Sequence, residues 1–232
     1  MNRSLSNHLW YAFLKFVMRL TAVAAFQFRC QGRAFVPATG PGLILSNHQS
    51  HFDPLLIGLA SDRRLNYVAR KTLFRFAPLR WFIKSVNAFP IDREGTGFGG
   101  LKESLKRLKQ GEVVVLFPEG TRSPDGQVHA VKPGFVALAR RTGVPLLPVA
   151  IAGAYDAWPR RRRFPSLGVI HVVFGQPIGP AEVSRLDDQQ LVAEVERRIR
   201  ACHALACQTR QQAIGIAPST THESGTSRHG KE

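Results

Sequence analysis

The chain has 232 residues, 44% of them hydrophobic, which fits one globular domain with short appendages and excludes a wholly disordered protein. Lysine and arginine number 32 against 16 aspartates and glutamates, so the net charge is +16. This charge favours a polyanionic partner: nucleic acid, anionic lipid or a phosphorylated substrate. Three cysteines without a CxxC pair argue against a disulfide framework and a zinc site, and indicate a reducing compartment.

The N-terminal segment is apolar but interrupted by charge. Lys15 and Arg19 divide residues 9–26, so a charge-free stretch of about 18 residues, as a spanning helix needs, is missing. The two basic residues share one helical face. The opposite face carries Leu9, Phe13, Phe16, Val17 and Leu20. This pattern predicts an amphipathic helix lying in the membrane interface within residues 1–33. A helix packed on its own domain and a signal peptide cleaved near residues 22–24 are the alternatives.

Strands and helices alternate along the rest of the chain. Apolar runs predict strands at 42–46, 66–69, 88–91, 112–117, 146–151 and 169–174. Amphipathic spacing and end signals predict helices beginning at Asp53 and covering 79–86, 101–108, 133–142 and 187–207. The alternation predicts a single α/β domain over residues 34–210, with a largely parallel sheet flanked by helices. A polar tail, residues 211–232, is expected to be disordered.

The first site-carrying segment, residues 47–53, has the sequence Asn-His-Gln-Ser-His-Phe-Asp between a strand and a helix. His48 and Asp53 are five positions apart, which can bring the carboxylate onto the imidazole across a strand-to-helix turn. A carboxylate fixes the tautomer of a histidine and stabilises its cation, as a general base requires. No GxSxG nucleophile motif occurs, so we expect His48 to activate a substrate hydroxyl directly.

Local pattern leaves other interpretations of this segment open. Asp53 before Pro54 is typical of an N-cap residue, so the carboxylate could serve only to cap the next helix. His48 could be a hydrogen-bonded turn residue. His48, His51 and Asp53 could together bind a metal, but no fourth ligand cluster occurs, and no metal is predicted.

Three more segments lie in or just after predicted strands, and parallel α/β folds gather their active sites at the carboxyl ends of strands. Arg93 ends the second segment, residues 87–93, and an arginine fork can bind phosphate. The third segment, residues 117–123, reads Phe-Pro-Glu-Gly-Thr-Arg-Ser, and Lys132 precedes a helix start suited to anions. The candidate site residues of this third segment are Glu119, Gly120, Thr121 and Arg122. Taken singly, these residues could be ordinary surface charges. The fourth segment, residues 144–151, is apolar and predicts a core strand or a substrate wall.

In this order, NHQSHFD, NAFPIDR, FPEGTRS and VPLLPVAI resemble the four blocks of the glycerolipid acyltransferase family, in particular the 1-acylglycerol-3-phosphate acyltransferases. The resemblance covers about residues 34–180. His-x4-Asp alone is a weak signal, but FPEGTRS behind it in the right order is specific. One departure is Asn87, which stands where the family's second block usually begins with glycine.

The resemblance implies an O-acyltransferase that moves a fatty acyl group from acyl-CoA or acyl carrier protein to a lysophospholipid hydroxyl. The expected acceptor is 1-acylglycerol-3-phosphate, which would give phosphatidate. His48 would be the base and Asp53 its partner. The acceptor would be bound by Arg93, Glu119, Gly120, Thr121 and Arg122, with the arginines on its phosphate; Lys132 is added from its position. No cofactor is implied beyond the acyl donor, and the expected place is the cytoplasmic face of an anionic membrane, as a peripheral or monotopic protein.

Several alternatives remain from the residues alone. The acceptor could carry another headgroup, or the protein could be a hydrolase of the thioesterase type. A nucleic-acid-binding protein is disfavoured because the basic residues scatter through loops and the third segment would have no explanation. The arginine run 160–163 could contact anionic lipid, an acidic carrier protein or the phosphates of coenzyme A, or be a solvated loop.

Overall fold

A computed structural model describes residues 5–70, 88–91 and 98–215. Its strands are β1 Arg29–Gln31, β2 Gly42–Ser46, β3 Leu65–Arg70, β4 Ala88–Ile91, β5 Val113–Leu116, β6 Leu146–Ala152 and β7 His171–Phe174. Its α-helices are α1 Leu5–Phe26, α2 Asp53–Ala60, α3 Phe98–Lys109, α4 Val136–Thr142, α5 Ala154–Ala157, α6 Pro180–Arg185 and α7 Asp188–Ile214. Short 3-10 helices cover Arg33–Phe35 and Pro133–Phe135.

The strands form one sheet in the order β1-β7-β6-β2-β5-β3-β4. Every neighbouring pair is parallel except β6 with β7. The predicted α/β fold with a largely parallel sheet is therefore confirmed. Residues 153–170 join these two antiparallel strands and contain the four-residue helix α5 and a loop.

β2 lies in the middle of the sheet and is buried at every position. Successive side chains of a strand point to opposite faces. Ile44 accordingly joins the hydrophobic cluster that contains residues of α2, whereas Leu43 and Leu45 join the cluster formed with α4 and α7. A strand covered on both faces has a continuous apolar sequence, which is why Gly-Leu-Ile-Leu-Ser carries no alternation.

Within the described ranges, the predicted elements are confirmed with shifted ends, while one short strand, two short α-helices and the 3-10 helix Arg33–Phe35 were missed. β1, α5 and α6 have too few residues to show a period. The predicted tail began too early, because residues 211–214 continue α7, which ends at Gly215 in the left-handed region. Helix-favouring alanine and glutamine prolong the helix past its last core residue. The helix predicted at 79–86 lies outside the described residues.

α1 packs on its own domain along one side only. Ala22 is buried, and Met18 and Phe26 pack against the core. Lys15 donates to the carbonyl of Ser61, and Arg19 pairs with Asp62 at 3.4 Å. The carbonyl end of α2 and its adjacent aspartate thus attract both basic residues towards the domain. The outer face of α1, formed by Phe13, Phe16, Val17, Leu20 and Val23, is exposed. Within the described ranges, no helix has the length and apolar character to traverse a bilayer.

Candidate active site

The sheet order brings the first and third segments together. β2 and β5 are adjacent and parallel, with Leu45 opposite Leu116. The segments that follow them, residues 47–53 and 117–123, therefore leave the sheet side by side at its carboxyl edge. This edge is where parallel α/β sheets place their ligands.

His48 and Asp53 form a hydrogen-bonded pair at the start of this edge. Nδ1 of His48 lies 2.7 Å from Oδ2 of Asp53, whose side chain is completely buried. Since a carboxylate only accepts, Nδ1 carries the proton, and Nε2 is left as the basic nitrogen of the neutral ring. The structure therefore confirms that His48 and Asp53 approach each other across a strand-to-helix turn.

Asp53 does not cap α2, contrary to the N-cap interpretation. The helix begins at Asp53 itself, and the residue in the capping position is Phe52, whose side chain makes no cap hydrogen bond. The carboxylate instead accepts from the backbone N–H groups of Gln49 and Ser50, at 2.6 and 2.7 Å. Side chains in a helix point towards its N-terminus, so a carboxylate in the first helical position reaches back into the preceding turn.

The third segment holds the backbone of His48 on both sides. Oε1 of Glu119 accepts from the N–H of His48 at 3.2 Å, and the N–H of Ser123 donates to the carbonyl of His48 at 2.6 Å. The imidazole also stacks on the ring of Phe117, with centroids 4.2 Å apart. The position of the histidine thus depends directly on the sequence Phe-Pro-Glu-Gly-Thr-Arg-Ser.

Sequence reasoning missed Asn47, Gln49 and Ser50, which anchor the first segment. The amide of Asn47 exchanges two hydrogen bonds with the backbone of Ile151 in β6, at 3.0 and 2.9 Å. Nε2 of Gln49 lies 2.9 Å from Nε2 of His203 in α7. No local signal could have found these contacts, because the partners are 104 and 154 residues away.

Ser50 supplies a further anchor, since its hydroxyl donates to the carbonyl of Trp158 at 2.7 Å. Burial lowers the pKa of His203, which keeps its ring neutral and able to accept from the Gln49 amide. The segment is consequently tied to β6, α7 and the residue after α5 as well as to the third segment.

The predicted acceptor-binding residues take different places around this pair. Arg122 donates to Nε2 of His51 at the exposed rim. Burial and, after it, the Arg122 guanidinium lower the pKa of His51, so the ring stays neutral and can accept. Gly120 has a φ of 77°, in the region that favours glycine, and the ammonium of Lys132 lies against it. Thr121 is exposed. Arg93 lies outside the described residues.

Glu119 lies beneath this rim rather than on it. The residue is only 4% exposed, and burial raises the pKa of its carboxyl from 4.5 to about 7. Oε1 is bonded to the His48 amide, and Oε2 is buried without a hydrogen-bond partner in the described part of the chain. The geometry therefore places this carboxyl as a support of the histidine segment.

Metal-binding geometry is not evident around the pair. In the ranges that the structure covers, no cluster of three or more His, Cys, Asp or Glu side chains could hold a metal ion. His48 and Asp53 are bonded to each other, and His51 is bonded to Arg122.

Comparison with known proteins defines the class. The profile of the family described as Acyltransferase matches residues 27–152, more than half of the chain. A 1-acyl-sn-glycerol-3-phosphate acyltransferase of Bacillus subtilis is 30% identical over 159 residues, covering 68% of this chain and 77% of the relative. A Pseudomonas aeruginosa enzyme of the same name is 32% identical over 197 residues, covering 83% and 72%.

A solved structure supports the fold. The crystal structure of the 1-acyl-sn-glycerophosphate (LPA) acyltransferase PlsC from Thermotoga maritima has a TM-score of 0.71 and 24% identity, covering all of this chain and 86% of the other. The chain belongs to the acyltransferase family. It is an enzyme of the O-acyltransferase class, and the family resemblance carried by its four segments is confirmed.

Replacing Glu119 by glutamine should change how stability depends on pH. Because the carboxyl has a pKa of about 7 when folded and an ordinary value of 4.5, the folded protein binds the proton more tightly in this range. The contribution of Glu119 to stability therefore falls as the pH rises through this range and is level above it. Glu119→Gln keeps the oxygen that accepts from His48 but cannot ionise, so its free energy of unfolding should increase relative to the wild type across that range.

Urea unfolding of both proteins at a series of pH values measures this difference. Glu112→Gln, at the opposite end of β5, is the matched control. A difference for Glu119→Gln that stays constant with pH would show that the buried carboxyl does not titrate as described.

Proposed function

We propose that the protein transfers a fatty acyl group from acyl-CoA or acyl carrier protein to the free hydroxyl of 1-acylglycerol-3-phosphate, forming phosphatidate. The observation that carries this proposal is the His48–Asp53 pair, held at 2.7 Å beside the third segment. The names of the relatives support the choice of acceptor.

His48 acts as general base in this proposal. Nε2 takes the proton of the acceptor hydroxyl as its oxygen attacks the thioester carbonyl carbon, and Asp53 stabilises the imidazolium that forms. The tetrahedral intermediate then collapses, the carbon–sulfur bond breaks, and the imidazolium returns the proton to the departing thiolate. A thiol with a pKa of about 8.5 is a good leaving group. No metal ion or bound cofactor takes part.

The acceptor phosphate binds at the rim of the edge. Arg122 and Lys132 supply positive charge beside Gly120, whose backbone permits a close approach. Arg93, outside the described residues, is assigned to the same phosphate from its place in the second segment. Thr121 is assigned to the acceptor as well, whereas Glu119 contributes by supporting His48.

The reaction is tested by mass spectrometry of purified protein incubated with lysophosphatidate and each donor in turn. Phosphatidate formed only when acceptor and donor are both present supports the proposal. Free fatty acid released equally without acceptor would establish the thioesterase alternative. A product formed only with another lysolipid would reassign the headgroup.

His48→Ala should abolish nearly all turnover while leaving the fold intact. A positioned base contributes about 10²–10⁴-fold, so residual activity should be about 1% or less.

Asp53→Asn keeps an oxygen that can accept from Gln49 and Ser50 but loses the charge that orients the ring. We expect activity to fall about 10²-fold or more with little change in melting temperature.

Initial rates and thermal unfolding of both variants are compared with the exposed-histidine control His129→Ala. Near-normal turnover of folded His48→Ala would rule out the mechanism. A loss of stability in Asp53→Asn as large as its loss of activity would reduce Asp53 to a structural role.

Arg122→Ala should raise the KM for the acceptor and leave the KM for the donor unchanged. Loss of a charge-assisted hydrogen bond costs about 1.5–3 kcal/mol, or about 10- to 100-fold in binding. Arg122→Lys keeps the charge but not the guanidinium fork, so its KM for the acceptor should lie between those of the wild type and Arg122→Ala. Steady-state kinetics with each substrate varied separately measure this, with Arg141→Ala as an exposed control. A rise in the donor KM alone would reverse the assignment.

We also place the enzyme at the cytoplasmic face of an anionic membrane, with the outer face of α1 in the lipid interface. Phe16→Ser with Leu20→Ser should lower partition into neutral and anionic vesicles at least about tenfold, because buried apolar surface is lost. Salt should not reverse the loss. Vesicle flotation measures this partition, with Ile214→Ser as control. Unchanged partition would show that α1 serves only to pack against its own domain. Recovery of a mature chain starting near Ala25 would establish a signal peptide.

A further inference from the structure

The loop after α5 exposes large apolar side chains next to a run of arginines. Phe164 is 70% exposed and Leu167 is 80% exposed. Arg160, Arg161 and Arg163 are exposed beside them. Transfer of apolar surface of this kind out of water is favourable, because it lowers the free energy.

Internal hydrogen bonds shape this loop, so the exposure is built into it. The indole N–H of Trp158 donates to the carbonyl of Arg162 at 3.0 Å. The Arg162 guanidinium donates to Oγ of Ser166 at 2.6 Å, and the N–H of Ser166 donates to the carbonyl of Ala157 at 2.8 Å. All four arginines are exposed, and the side chain of Arg162 links the two ends of the loop.

The loop lies beside the end of α1. The N–H of Gly168 donates to the carbonyl of Ala25 at 3.5 Å, and the N–H of Ile170 donates to that of Phe26 at 2.9 Å. The exposed apolar residues of the loop and the outer face of α1 therefore belong to elements that touch.

Aromatic rings connect this junction to the catalytic segment. The ring of Phe26 lies 5.2 Å from that of Phe52, which lies 4.8 Å from Trp158. Trp158 in turn lies 5.0 Å from the ring of His51. A continuous aromatic row thus runs from the end of α1, past the base of the loop, to the segment that holds His48.

We propose that residues 159–167 form a second membrane-contact element beside α1. Phe164 and Leu167 insert into the interface of an anionic bilayer, and Arg160, Arg161 and Arg163 bind lipid phosphates. The inference rests on the proposed function in one respect, since a bilayer-borne acceptor would then reach His48 along the aromatic row.

Charge and apolarity together select a bilayer over an acidic carrier protein. An acidic protein surface would complement the exposed arginines but leave Phe164 and Leu167 in water. A bilayer interface offers phosphates and, directly below them, acyl chains, so it accommodates both kinds of side chain. Arg163 also lies over the ring of Phe164, 5.6 Å from its centroid, which keeps charge and apolar surface together.

The test uses two variants of the full chain in vesicle flotation. The apolar variant is Phe164→Ser with Leu167→Ser, matched by Leu205→Ser with Ile214→Ser on α7. The basic variant is Arg160→Gln, Arg161→Gln and Arg163→Gln, matched by Lys109→Gln, Arg141→Gln and Arg185→Gln, which removes the same charge from other exposed positions. The vesicles are phosphatidylcholine alone or mixed with phosphatidylglycerol, each at low and high salt.

The apolar variant should lose about tenfold or more in partition at both salt concentrations. The basic variant should lose about fivefold for each arginine on anionic vesicles at low salt, and the loss should shrink at high salt. It leaves Phe164 and Leu167 in place, so it tests the loop even if the apolar variant fails to fold. Partition equal to that of the matched controls in both variants would overturn the proposal.

Kinetic measurements distinguish membrane contact by the loop from a role of the loop in binding the donor or in the chemical step. With a monomeric short-chain lysolipid, turnover by the basic variant should match the wild type, and with acceptor in vesicles it should fall. Unchanged vesicle binding with a raised KM for the acyl carrier protein donor would assign the loop to that protein instead. Loop-dependent partition by a wild-type protein that acylates no lysolipid would support the loop and refute the proposed function.

Discussion

Oδ2 of Asp53 accepts three hydrogen bonds at once, from the ring of His48 and from the backbone N–H groups of Gln49 and Ser50. A completely buried carboxylate needs such donors, because an unpaired buried charge costs several kcal/mol. The conformation of the turn and the orientation of the imidazole are thereby set by one atom. The adjoining strand and helix provide its burial, so the geometry of the His48–Asp53 pair is inseparable from the local fold.

The rest of the site follows from keeping that turn in place. Glu119 and Ser123 hold the two backbone groups of His48, and this support has a cost, since burial raises the pKa of Glu119 to about 7. Asn47 and Gln49 extend the same support to β6 and α7. Polar groups at an active site are thus satisfied by several elements, and the stability of distant parts of the chain affects the position of one histidine.

The large positive charge of the chain is only partly available to a membrane. Lys15 and Arg19 are drawn to the end of α2, so the outer face of α1 is apolar, and Arg162 links the two ends of its own loop. The other arginines of the loop accompany Phe164 and Leu167. In the proposed membrane contact, net charge therefore accounts for the long-range attraction of the protein, while a few placed residues determine where contact is made.

The sequence by itself determined the alternation of strands and helices, the spacing of His48 and Asp53, and the order of the motifs that define the family. These are local properties, because periodicity and motif spacing depend on neighbouring residues. Only the tertiary structure decided that Asp53 serves the turn rather than a helix cap, that Lys15 and Arg19 face inward, and that β7 runs antiparallel. It also decided the partners of Asn47 and Gln49, which lie 104 and 154 residues away. Such contacts depend on how the elements pack, and no local pattern specifies that.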